Sequence, residues 1–130
     1  MKNTSLLYNL LTMKHIANES QTREENEWYS KQVLATEKEI GYKWMKVQTV
    51  KIPPGEVAEA HIHKIQTEVF YFLTDNWYRI VNDQRIQPKV GDVLIIEPND
   101  VHTVGNDTEE DYVYLCFKTD YTDQSDFYNV

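Results

Sequence analysis

The sequence holds one cysteine, few basic residues and no long apolar run, and each shortage closes off a class of function. Cys116 alone cannot form an internal disulfide. Its place within "YVYLCF" is that of a small buried hydrophobe rather than a catalytic thiol, so a reducing compartment is expected. No segment approaches the roughly 20 apolar residues needed to span a bilayer. The apolar stretch over residues 6–11 is interrupted by Tyr8 and Asn9 and lacks a small-residue cleavage site, which argues against an export signal and for a cytoplasmic protein. Basic residues are also scarce: 13 Lys and Arg stand against 21 Asp and Glu, a net charge of -8, and no Lys/Arg run overrides it. That balance repels phosphate backbones and anionic lipid, so neither nucleic acid nor a membrane surface is an expected partner.

What is present fits one globular domain. The chain has 130 residues, 41% of them hydrophobic, with nine Tyr and three Trp, enough for a closed core and too few for a second domain. A mean hydropathy of -0.62 indicates a very polar surface. Leu6, Leu7, Leu10 and Leu11 recur at helical spacing behind Thr4 and Ser5, which predicts a short N-terminal helix. Residues 18–27, "NESQTREENE", read as a solvated loop. The period then changes to two. Strands are predicted over 42–52, 58–63, 68–73, 77–81, 92–96, 101–104 and 112–118, separated by turn sequences such as "TDN", "NDQ" and "GNDTEED". Short strands at this spacing, with no helical crossovers between them, make an all-β sandwich or barrel. The expected division is an extension over 1–28, a barrel over 29–121 and a tail over 122–130.

Half of the histidines fall in "EAHIHKIQTEVFYFL", residues 59–73. On a strand His61 and His63 share one face and Ile62 takes the other, so two imidazoles can converge on one ion. Glu68 would face away if that strand ran on, but the polar "KIQT" at 64–67 is suited to a bend, after which Glu68 rejoins the inner face. A carboxylate in line with Phe70 and Phe72 is costly to bury unless a cation compensates it. In "GDVLIIEPNDVHTVGN", residues 91–106, a proline turn reverses a short apolar strand and presents His102 at the start of the return. That strand could close over the first three groups.

These two segments are similar to the paired motifs of the cupin superfamily. The first family motif is Gly, five residues, His-x-His, three or four residues, Glu, six residues, Gly; Gly55, His61, His63 and Glu68 match it, and Asp75 stands at the last glycine. The second is Gly, five residues, Pro-x-Gly, two residues, His, three residues, Asn. Gly91, His102 and Asn106 match it, with Glu97 and Asn99 in place of the proline and glycine. Asn and Asp tolerate a left-handed backbone better than other non-glycine residues, so these turns should survive. The resemblance implies a cupin-type double-stranded β-helix (jelly-roll) barrel, a metal held by His61, His63, Glu68 and His102, and a homodimer. Three imidazoles and a carboxylate suit Fe, Mn, Ni, Co, Cu or Zn rather than calcium or magnesium.

The expected function is a mononuclear metal enzyme acting on a small molecule. Glu68 is committed as a ligand and no other general base is evident, which favours chemistry at the metal, of dioxygenase type. The alternatives are an isomerase or lyase of a small carbonyl or sugar substrate, and a non-catalytic binding or sensing barrel, which lacks any visible effector domain. His15 and the clusters Glu24-Glu25 and Glu109-Glu110-Asp111 read as solvent-facing, and Phe70, Phe72, Tyr112 and Tyr114 as core. Arg79, in "NWYRIV", is read as the one cation within a strand and is expected on the outer face; turned inward it could hold a carboxylate or phosphate.

Overall fold

Alternation with period two organises the barrel. In β3 (Lys46–Ile52) the buried side chains are Lys46, Gln48, Val50 and Ile52; in β5 (Thr67–Phe72) they are Glu68, Phe70 and Phe72; in β10 (Tyr112–Thr119) they are Tyr112, Tyr114, Cys116 and Lys118. Antiparallel registry sets these side chains in rows across one face. Ile52 pairs with Tyr112, and in the rows that follow β10 lies in the middle: Tyr114 between Val50 and Phe72, Cys116 between Gln48 and Phe70, and Lys118 between Lys46 and Glu68. One end of the face is therefore apolar and the other charged.

The computed structural model describes residues 13–75 and 78–130; the helix predicted over 6–11 lies outside them. The remaining strands are β1 (Thr22–Glu25), β2 (Ser30–Thr36), β4 (His61–Ile62), β6 (Tyr78–Val81), β7 (Gln84–Ile86), β8 (Val93–Ile96), β9 (His102–Gly105) and β11 (Tyr128–Asn129). They form two antiparallel sheets, β1-β2-β3-β10-β5-β8 and β11-β4-β9-β6-β7. Ile52, Phe72 and Tyr112 meet Ala58 and Val104 of the facing layer in the apolar core. This is the double-stranded β-helix expected from the motifs.

Four differences from the sequence reading have physical causes. Residues 18–27 are not all loop, because β1 pairs with β2 over Thr22–Glu25; it is a polar, mostly exposed edge strand, held by backbone bonds that hydrophobic patterning cannot reveal. β2 is half-buried along its whole length, so it too lacks a clean alternation. The predicted 42–52 strand starts only at Lys46, because the chain first turns through α1 (Glu37–Ile40), with a Thr36/Glu39 capping box in front and Gly41 at φ 85 behind. The tail is part of the architecture: β11 pairs with β4, and Val130 N–H donates to the Ala60 carbonyl at 3.2 Å. The substituted motif turn survives as expected, with Asn99 at φ 71.

Candidate metal centre

β4 and β9 lie side by side with His61 paired to His102, and both imidazoles face the interior. His63 follows one residue after β4, and the chain then bends through Lys64 to Gln66. That bend closes around one carboxylate. Asp126 Oδ1 accepts from Lys64 N–H at 2.7 Å, and Oδ2 accepts from Ile65 N–H at 3.1 Å and Gln66 N–H at 2.9 Å. β5 then opens with Glu68 facing inward. The nitrogens that His61, His63 and His102 offer all lie within 4.8 Å of one another. Glu68 Oε1 is 2.5 Å from His63 Nε2 and 3.6 Å from His102 Nε2. All four ligands implied by the motifs thus meet at one place.

The donor set fits a divalent transition ion. Each imidazole rests its Nδ1 against a backbone carbonyl: His61 on Glu59 at 2.9 Å, His63 on Asp126 at 2.5 Å and His102 on Asp100 at 2.9 Å. A carbonyl only accepts, so Nδ1 carries the proton and Nε2 keeps its lone pair in the neutral ring. Such a contact fixes tautomer and orientation together, as it does in metal-ligating histidines.

Electrostatics support the same state. Burial, and secondly the neighbouring His102, push His61 down to about 4, so it is neutral at physiological pH. Burial works against ionisation of Glu68, but the Lys118 ammonium beside it holds its carboxyl well below the usual range. Lys118 Nζ stands 4.0 Å from Glu68 Oε2, and Cys116 Sγ donates to that oxygen at 3.2 Å. Burial, and then Glu68 itself, raise the Cys116 thiol well above its ordinary value, in keeping with an inert buried cysteine.

His61, His63, Glu68 and His102 line a cavity of about 360 Å³ whose walls include Trp28, Tyr29, Lys31, Arg79, Tyr114, Lys118 and Phe127. Phe127 stacks on His61 with ring centroids 4.3 Å apart. Arg79 corrects the sequence reading. It is only 1% exposed, and its guanidinium lies 4.1 Å from the centroid of Phe70 and 4.4 Å from that of Tyr114. Strong cation–π contacts with two inward rings favour the interior over the outer face. Nor is Arg79 the one cation within a strand, since Lys46 and Lys118 are buried in β3 and β10. Lys118 was legible from its parity with Tyr112, Tyr114 and Cys116. Asp126 carried no signal, because its partners lie about 60 residues away. His15 is exposed, as expected.

Among known proteins, a family model described as "Cupin domain" matches residues 48–118. No curated protein matches the chain in sequence. Several solved structures share its fold. The polyketide cyclase RemF from Streptomyces resistomycificus superposes with a TM-score of 0.75 at 14% identity, covering 92% of this chain and 86% of that one. A predicted oxalate decarboxylase from Thermotoga maritima gives 0.71 at 19% identity, covering 82% and 98%. The Streptomyces nucleoside dehydratase Pac13 gives 0.71 at 13% identity, covering 92% of each chain. At these identities the likeness speaks for the fold alone. No helix among the described residues is long and apolar enough to cross a membrane.

Proposed function

This chain belongs to the cupin superfamily, and from that premise we propose that it is an enzyme that binds one divalent transition ion through His61, His63, His102 and Glu68 and transforms a small molecule in the adjoining cavity. The observation that carries the reading is the set of three Nδ1–carbonyl contacts, which leave three Nε2 lone pairs beside one ionised carboxylate. A bound ion would supply Lewis-acid polarisation of a carbonyl or, with a redox metal, activation of dioxygen. The protein's part is to orient the ligands, keep Glu68 ionised through Lys118, and enclose the substrate between Phe70, Tyr114 and Phe127.

Dioxygenase-type chemistry rested on the lack of any general base other than Glu68. Tyr29, Lys31 and Lys118 line the cavity and can each hold or move a proton. Their presence favours lyase or isomerase chemistry over dioxygenation. Of the neighbours in fold, one is named a nucleoside dehydratase, and elimination of water is a lyase reaction.

The first test is metal stoichiometry after stripping and reconstitution. Wild type should take up about one ion per chain, and His61→Ala and His102→Ala should fall to a tenth of that or less. A wild type that cannot be loaded would remove the proposal. Oxygen uptake by iron-loaded protein over a panel of thiols, phenols, diketones and sugars then separates the chemistries. Turnover by zinc-loaded protein without oxygen uptake supports the lyase or isomerase reading.

A further inference from the structure

In a chain of net charge -8, the interior of the barrel concentrates positive charge. Lys31, Arg79 and Lys118 line the metal cavity, against Glu68 within it and Glu27 at its rim. Lys31 faces inward by register, since it pairs with Val50, whose side chain is 4% exposed and lines the same cavity. Buried and half-buried cations need compensation, and two of these three have it at close range. Lys118 faces Glu68, and Arg79 lies against the rings of Phe70 and Tyr114.

Lys31 is placed differently. Its ammonium lies 5.1 Å from the centroid of the Tyr29 ring, and among the described residues no carboxylate comes within ion-pair distance of it. Burial, and then repulsion from Lys118, lower its pKa, so an anion arriving there would relieve an existing electrostatic cost. Lys31, Lys118 and Tyr29 also line an adjoining recess of about 340 Å³, which gives a bound molecule room beyond the ligand cluster. Metal binding would strengthen the effect, because Glu68 would then share its charge with the ion and compensate Lys118 less.

We propose that the substrate is a small organic anion whose carboxylate or phosphate is bound by Lys31, with its body lying over the metal ligands against the Phe70 and Tyr114 rings. This rests on the reading of the cavity as the active site and adds the chemical class of its substrate. The volume admits a body of about one ring, and the aromatic walls suit a planar one.

Calorimetric titration with benzoate, phenyl phosphate and the neutral isostere benzamide tests the proposal on both chelator-stripped and zinc-loaded protein. Benzoate or phenyl phosphate should bind roughly tenfold or more tightly than benzamide in both forms. Lys31→Met, which keeps the apolar stem, should weaken the anion by roughly tenfold and leave benzamide unmoved, and Lys31→Arg should retain the preference. The tighter of the two anions identifies the headgroup, and either order supports the proposal. Equal binding of anion and amide, no anion binding at millimolar concentration, or an anion affinity unchanged by Lys31→Met would overturn it. Zinc uptake without any effect of Lys31 sinks the anion site alone. Failure to take up zinc sinks the metal reading, and the stripped protein still decides the anion site.

Discussion

The two ends of the barrel interior are built by the same three strands in the same registry, yet they hold opposite chemistry. At one end β3 and β10 contribute Ile52 and Tyr112, and β5 adds Phe72 in the next row; at the other end the same strands contribute Lys46, Lys118 and Glu68. The backbone pattern is identical, so the alternation that makes the barrel says nothing about which end does chemistry. The apolar end gains free energy from burial and close packing. The charged end must offset the cost of desolvating its ions with partners, and does so only in part. Stability and function should therefore separate along the barrel axis, and substitutions at the two ends should behave differently.

The largest effect is expected at the apolar end. Phe72 is fully buried and lies 6.2 Å, centroid to centroid, from Tyr112. Phe72→Ala should cost about 3–5 kcal/mol in urea unfolding, while the folded fraction still takes up metal as wild type does. A variant of unchanged stability that no longer binds metal would break the division between the ends.

The next effect belongs to the histidine end and is read by pH. His61 in the folded protein is pushed down to about 4, whereas in the unfolded chain it titrates near 6.5. Between those values the unfolded chain binds more protons, so the stability of metal-free protein should fall as pH drops through that window, by of order 3 kcal/mol. Glu68 adds a separate loss at lower pH: its folded pKa is depressed, so its contribution is present above the unfolded carboxylate value and lost as pH falls through the folded one. Urea midpoints at several pH values should show a flatter profile for His61→Ala, while Phe72→Ala runs parallel to wild type. A wild-type profile that is flat from pH 7 to 4 would count against a buried neutral His61.

Much of this site could be read in the chain because its parts obey local rules. His61 and His63 lie two residues apart near one short strand, the "KIQT" bend turns Glu68 back inward, and a left-handed Asn99 replaces a motif glycine. Strand parity would have placed Lys118 as well. Arg79 was misplaced because an arginine in a strand is ordinarily a surface residue, and only the tertiary meeting of β6 with Phe70 and Tyr114 provides two ring faces to receive it. β1 and β11 were missed for a related reason: they are short and exposed and exist through backbone pairing, which leaves no hydrophobic period.

Asp126 lies furthest from what sequence can tell, and it yields the smallest of these effects, though the most diagnostic one. Its carboxylate closes the 64–66 bend while its own backbone carbonyl receives His63 Nδ1, so one residue of the tail fixes both the turn and the His63 ring. Those three N–H donors, acting against burial, hold its carboxyl below the ordinary aspartate range. Asp126→Asn keeps the backbone carbonyl but sets an amide donor against N–H groups, and should cost about 1–2 kcal/mol of stability. It should also loosen metal binding by roughly tenfold through the displaced His63. Asp123→Ala, which removes only bonds to Ser125 on the exposed part of the same tail, should change neither quantity measurably. If the two variants behave alike under zinc competition and urea unfolding, the tail merely covers the site; if Asp126→Asn alone weakens metal binding, the tail is part of how the ligands are held.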